Sequence, residues 1–116
     1  MEHRQHPRLP VRFHSSFSSP NLVCGEGNLV DLSIRGCRIL SATEVKAGTT
    51  LQLRVDRSGG QPPIQVTQAV VRWCRDRGFG LEFVSLAPDE WARLQQVVKE
   101  LELEPYQRVG SMDGAA

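Results

Sequence analysis

The strongest constraint on the fold is a series of short segments in which apolar and polar residues alternate, separated by turn residues. Leu51, Leu53 and Val55 form the clearest of these segments, because polar residues occupy every position between them. A period of two is the pattern of a β-strand with one buried and one exposed face. Glycines and prolines at residues 59–63 then mark a turn. The chain is therefore predicted to build a sheet from short strands.

Six strands are predicted, over residues 11–17, 22–32, 37–40, 51–56, 64–73 and 79–83. The first is expected to break after Phe13. The second is expected to be interrupted by a glycine-rich turn at residues 25–28, beyond which Val30, Leu32 and Ile34 alternate.

The fifth segment and the features that follow it complete the predicted order of elements. Its apolar phase changes between Val70 and Val71, which predicts a β-bulge or a bend. Residues 75–78 predict a hairpin turn. Pro88 is predicted to begin a helix, because a proline suits the first turn. Its apolar face comprises Trp91, Leu94, Val97, Val98 and Leu101, and it is expected to pack against the sheet.

These elements predict a mainly all-β fold, a six-stranded antiparallel β-barrel with a C-terminal α-helix. Closing the barrel would remove sheet edges that otherwise invite aggregation. The length of 116 residues fits one domain. We expect residues 1–10 to form a flexible N-terminal arm, residues 11–103 the barrel and helix, and residues 104–116 a disordered tail.

The composition limits the classes of partner and the compartment. A net charge of +1 argues against a general nucleic-acid binder, which needs a strongly basic surface, and the seven aromatic residues fall mostly in core phase. No apolar run approaches the roughly eighteen residues of a membrane span, and no basic-then-apolar leader opens the chain. Three widely spaced cysteines are expected to be buried or half-buried free thiols. We therefore expect a cytoplasmic protein without membrane insertion.

Patterns of catalysis and metal binding are missing from the sequence. It has no nucleophile elbow, no phosphate-binding loop and no dinucleotide-binding glycine pattern. The three histidines lie at or before His14, and two of them fall on the predicted arm, which offers a metal no preset geometry. We expect neither enzymatic activity nor a metal or other cofactor.

Recognition is better supported, beginning with the arginines. The chain has twelve arginines and two lysines, and the planar guanidinium group favours directed recognition of flat or doubly charged groups. Arg4 and Arg8 flank Pro7, which discourages a helix at the preceding residue. Such a pair can grip phosphates or the O6/N7 edge of guanine, although paired arginines are often simply solvated.

A second polar group lies in the stretch DLSIRG, residues 31–36. The Asp31 carboxylate suits the N1–H and N2–H donors of guanine, or it could merely end a strand. The Ser33 hydroxyl could meet a base edge or a phosphate, or it could satisfy a turn. Gly36 permits a backbone conformation or a close approach that a Cβ would obstruct. Together with the arginines, these groups favour an anionic guanine nucleotide.

The two stretches fit R-x-x-x-R and [D/N]-x-S-x-x-G, and in this order and separation they resemble the PilZ family of cyclic di-GMP receptors. The resemblance covers about residues 3–101. It implies the same six-stranded barrel with a C-terminal helix. It also implies that Arg4 and Arg8 hold guanine edges and phosphates of cyclic di-GMP.

By the same resemblance, Asp31 and Ser33 would meet the guanine and a phosphate, and Gly36 would keep the strand turn open. The residue before the first arginine, His3, would influence whether one or two nucleotides bind. The expected function is a receptor whose arm orders on the ligand and which signals to an unidentified effector protein. The alternative is a ligand-independent adaptor for pilus, flagellar or exopolysaccharide machinery.

Overall fold

The computed structural model describes residues 8–20, 23–57 and 59–115, with side chains up to residue 103. Its elements are β1 (Leu9–Ser18), β2 (Cys24–Leu32), β3 (Gly36–Leu40), β4 (Thr50–Asp56), β5 (Ile64–Arg75), β6 (Gly78–Ser85) and α1 (Pro88–Ala115). The strands form a closed antiparallel barrel in the order β1-β2-β3-β6-β5-β4. The predicted fold is therefore confirmed.

The barrel interior is filled by the apolar face of each strand. Leu51, Leu53 and Val55 are each at most 3% exposed, as their alternation predicted. Phe17 of β1 and Phe79 of β6 meet edge to face, with ring centroids 5.1 Å apart. Such a pair stabilises the core beyond the burial of its surface.

Strand β1 begins at Leu9 and has no break, so the predicted interruption after Phe13 is wrong. Ser15 takes an inward position of the strand and is fully buried. Its hydroxyl donates a hydrogen bond of 3.1 Å to the carbonyl oxygen of Gly27 on β2. A buried hydroxyl is tolerated when it is bonded, so a polar residue here does not end the strand.

The glycine-rich segment predicted as a turn lies within β2, so that prediction is also wrong. A Cβ at Gly25 would overlap the side chain of Thr43. A Cβ at Gly27 would overlap the carbonyl oxygen of Leu40 on β3. These glycines therefore permit close approach of neighbouring chain segments and not reversal of the chain.

Strand β5 contains the predicted change of phase. Its register shifts between Gln68 and Ala69 and again between Val71 and Trp73. The second buried phase begins at Ala69, which is fully buried, whereas Val70 is only partly buried. The bulge is confirmed, two positions earlier than the sequence predicted.

Helix α1 begins at Pro88, as predicted, and buries Leu94 and Val97 against the core. The side chain of Glu90 accepts a hydrogen bond of 3.0 Å from the backbone N–H of Gln65 on β5. The helix continues to Ala115, beyond the predicted end at residue 103. That prediction rested on a proline at 105, and a proline removes one backbone hydrogen bond without ending every helix.

Candidate functional site

Asp31 reaches the outer face of the barrel because β2 contains a bulge. Leu29 and Leu32 are both fully buried although they lie three positions apart, which strict alternation forbids. On β3, Ile39 and Arg38 are consecutive and pair with Leu29 and Asp31, so Val30 is the extra residue. The predicted alternation of Val30 with Leu32 is therefore wrong. Because of the extra residue, the Asp31 side chain lies on the outer face of the barrel.

The neighbouring strand β1 is irregular at the same level. Its Pro10 pairs with Asp31 and its Phe13 pairs with Leu29, so two residues of β1 lie opposite Val30. A bulge increases local twist and redirects side chains. The irregularities on both sides of β2 thus meet at Val30, next to the residue that the sequence singled out as an acceptor.

The Asp31 carboxylate lies between two arginines. Arg8 Nη1 donates a hydrogen bond of 3.1 Å to Asp31 Oδ1, and Arg38 Nε lies 3.2 Å from Asp31 Oδ2. The side chains of Arg8, Asp31 and Arg38 are 28%, 18% and 46% exposed. Ion pairs this accessible to water contribute about 1 kcal/mol or less each. The structure therefore brings one predicted arginine and the predicted carboxylate together through ion pairs that take little free energy to break.

The thiol of Cys37 lies beneath this surface in the core, where it is fully buried. Burial raises the pKa of the Cys37 thiol far above its ordinary value, and the nearby Asp31 charge raises the pKa further, while Arg8 opposes this. Cys37 is therefore a neutral core residue that does not act as a nucleophile at this surface.

Ser33 holds the turn between β2 and β3. It is only 3% exposed, and its Oγ accepts hydrogen bonds of 3.1 Å from the backbone N–H groups of Arg35 and Gly36. The same hydroxyl lies 3.3 Å from the Gly36 carbonyl oxygen, to which it donates. Of the two roles left open by the sequence, the turn is the one present in this structure. A contact of Ser33 with ligand stays a prediction.

Gly36 is required by the approach of β6. It pairs with Glu82, and a Cβ at this position would overlap the carbonyl oxygen of Leu81. The contact is with backbone, so a neighbouring side chain cannot relieve it by rotating. Gly36 therefore fixes the spacing between β3 and β6 next to the turn that follows Asp31.

Two predicted site residues, Arg4 and His3, lie outside the described residues, as does most of the predicted arm. Their roles, and the mobility of that arm, stay predictions. Within the N-terminal segment, residues 1–10, the description begins at Arg8, and the Arg8 side chain points to Asp31.

The described residues offer little for other chemistries. Within them no group of three or more His, Cys, Asp and Glu side chains is arranged to hold a metal. No helix in that part of the chain is long and apolar enough to cross a bilayer. Cys24 and Cys74 are exposed free thiols, so only Cys37 fits the predicted burial.

Both motifs lie in the part of the chain that matches a known protein family. A sequence profile of the PilZ domain matches residues 2–100, which include Arg4, Arg8 and the stretch at residues 31–36. The chain belongs to the PilZ domain family. A search of curated proteins found no match to this PilZ domain.

Solved structures give the same fold. YcgR from Escherichia coli in complex with cyclic di-GMP superimposes with a TM-score of 0.77 at 20% identity, over 94% of this chain and 50% of that chain. The PilZ domain of YcgR from Escherichia coli with cyclic di-GMP gives a TM-score of 0.74 at 18% identity, over 94% of this chain and 98% of that chain. The Bacillus subtilis inhibitor of motility MotI/DgrA gives a TM-score of 0.74 at 19% identity, over 90% of this chain and 53% of that chain. This PilZ domain thus spans about half the length of the YcgR and MotI chains.

Sequence reasoning missed Arg38, the second arginine on Asp31. The signal was available in the turn: if residues 33–36 reverse the chain, Leu32 falls opposite Cys37, and Asp31 falls opposite Arg38. The observed register has both pairs. In this PilZ domain the carboxylate of the second motif is therefore shared between the N-terminal segment and strand β3.

Proposed function

We propose that this PilZ domain is a receptor for cyclic di-GMP, bound between its N-terminal segment and the outer face of β2 and β3. The observation that carries the proposal is the 3.1 Å contact between Arg8 and Asp31, which joins the two motifs in space although they are 23 residues apart in sequence. The likeness to YcgR structures that contain cyclic di-GMP supports the same ligand.

The chemistry of the three side chains matches that of the nucleotide. A guanidinium group can bind a phosphate or the O6/N7 edge of guanine with two parallel hydrogen bonds. A carboxylate that is freed from arginine can accept from the two adjacent N–H donors of guanine. Ligand binding would replace exposed ion pairs of about 1 kcal/mol or less with charge-assisted hydrogen bonds of roughly 1.5–3 kcal/mol. The exchange therefore favours the complex.

The remaining parts of the mechanism rest on the N-terminal segment. Arg4 would add a second guanidinium group, and His3 would lie beside the nucleotide and influence whether one or two molecules bind. Ordering this segment costs free energy, so the affinity depends on its sequence. The output is a surface presented to an effector protein in the cytoplasm, and no reaction is catalysed.

A ligand-independent adaptor is the second candidate, and one observation favours it. Both Asp31 oxygens already face guanidinium groups, and the Ser33 hydroxyl is bonded within its own turn. The site is thus satisfied without a ligand. Such a surface could instead serve as a fixed contact for pilus, flagellar or exopolysaccharide machinery.

Isothermal titration calorimetry with cyclic di-GMP separates the two candidates. A receptor gives a saturable heat, and Arg8→Ala should weaken binding about tenfold or more, since a lost bidentate contact costs roughly 1–3 kcal/mol. Arg54→Ala is the matched control, because Arg54 also pairs with an aspartate but on β4. An adaptor gives no heat with the unaltered protein. Equal affinity of the Arg8→Ala variant and the unaltered protein would remove Arg8 from the site.

A further inference from the structure

Among the described residues, Arg38 is the charged partner of Asp31 that neither motif includes. Its Nε lies 3.2 Å from Asp31 Oδ2, on the side of the carboxylate away from Arg8. Building on the proposed function, we propose that Arg38 is a third arginine of the cyclic di-GMP site, which leaves Asp31 when the nucleotide binds and pairs with one of its phosphates.

The balance of charge supports this exchange of partners. The described site contains Arg8, Arg38 and Asp31, so in the free protein one carboxylate is shared by two cations. When Asp31 turns its oxygens to the guanine donors, both guanidinium groups lose their anion. Cyclic di-GMP carries two phosphates, each with a single negative charge, and so supplies one anion for each released arginine. Arg38 is thus neutralised in both states, which lowers the electrostatic cost of binding.

The surroundings of Arg38 leave it room to make this move. Its side chain is 46% exposed. Its cross-strand partner on β6 is Gly80, over which the Trp73 ring packs. Beyond Gly80 a shallow recess adjoins Arg38, lined in part by Leu40, Trp73 and Arg75. Since Asp31 and Arg38 pair directly across β2 and β3, a nucleotide seated on Asp31 lies within reach of the Arg38 guanidinium group.

The test is a calorimetric double-mutant cycle with cyclic di-GMP as the probe, run to millimolar nucleotide. The variants are Arg38→Gln, Arg38→Lys, Asp31→Asn and Asp31→Asn combined with Arg38→Gln. Arg54→Gln is the matched control, because Arg54 pairs through Nε with Asp56 at 2.9 Å and is 56% exposed. Thermal unfolding of each variant checks that the barrel is intact.

We expect Arg38→Gln to weaken binding about tenfold or more, Arg38→Lys to recover part of that loss, and Arg54→Gln to leave the affinity unchanged. The decisive comparison is made in the Asp31→Asn variant, which should retain measurable binding. Adding Arg38→Gln to that variant should still lower the affinity for cyclic di-GMP about tenfold. That result requires a contact between Arg38 and the ligand itself.

Three outcomes overturn the proposal. If Arg38→Gln binds like the unaltered protein, Arg38 lies outside the site. If Arg38→Gln no longer weakens binding in the Asp31→Asn variant, Arg38 merely orients the carboxylate. If Asp31→Asn abolishes binding, the freed arginines do not hold the phosphates. Absence of heat with the unaltered protein is a different result, since it rejects the proposed receptor function and the Arg38 proposal with it.

Discussion

Replacing Ser33 with Ala should destabilise the whole domain, because the hydroxyl holds the turn between β2 and β3. The substitution removes three hydrogen bonds, two accepted from backbone N–H groups and one donated to a carbonyl oxygen. The Arg35 N–H is only partly buried and can turn to water, but the Gly36 N–H is buried. A buried donor without a partner costs about 1–3 kcal/mol, so we expect a loss of about 2 kcal/mol in the free energy of unfolding.

Urea unfolding followed by tryptophan fluorescence measures this loss. For a domain of this size, 2 kcal/mol corresponds to a fall of about 1 M in the urea midpoint, or about 8 °C in the melting temperature. Ser18→Ala is the matched control, since Ser18 is a half-buried serine on β1 away from the turn. An unchanged midpoint in Ser33→Ala would refute the argument that this hydroxyl holds the turn, and would return Ser33 to a role in ligand binding alone.

Two further predictions concern packing and pH. Gly36→Ala should lower the unfolding free energy by about 1–3 kcal/mol, because its Cβ would overlap the Leu81 carbonyl oxygen. Gly48→Ala, which has open space around it but a positive φ, should cost about 1 kcal/mol through backbone strain alone. An unchanged urea midpoint in Gly36→Ala would contradict the close approach of β3 and β6. The hydrogen bond to Asp56 raises the pKa of His14 above 6.5, so its stabilising effect is complete below pH 6.5 and is lost as the pH rises through the folded-state pKa. An NMR titration should find the His14 pKa raised and Asp56→Asn should lower it, whereas a His14 pKa at or below 6.5 would contradict this contact.

The sequence predicted the strands whose pattern is complete in itself. In β4 each inward position is apolar and each outward position is polar, so the alternation of Leu51, Leu53 and Val55 needed no knowledge of other strands. The predictions failed where a tertiary contact decides the residue type. Ser15 is tolerated inside β1 because Gly27 of β2 accepts its hydrogen bond, and Gly25 lies within a strand because Thr43 packs over it.

The candidate site was predicted in part for the same reason. Arg8 and Asp31 were named from their motifs, and the contact between them is present. Arg38 was missed because neither motif includes it, although the turn at residues 33–36 places it opposite Asp31. The outward direction of Asp31 depends in addition on the bulge at Val30. A bulge is set by the need to bury Leu29 and Leu32 together, which becomes visible only when the neighbouring strands are known.

The most direct test of the central claim is an amide NMR titration of the protein with cyclic di-GMP. The account predicts saturable shifts that cluster at Arg8 and residues 31–38, while residues 52–54 on β4 stay unchanged. Ser16, the β1 partner of Arg54, lies six positions from Pro10, the β1 partner of Asp31, which is a separation of about 20 Å. Absence of shifts, or shifts centred on β4, would contradict a nucleotide site built around Arg8 and Asp31.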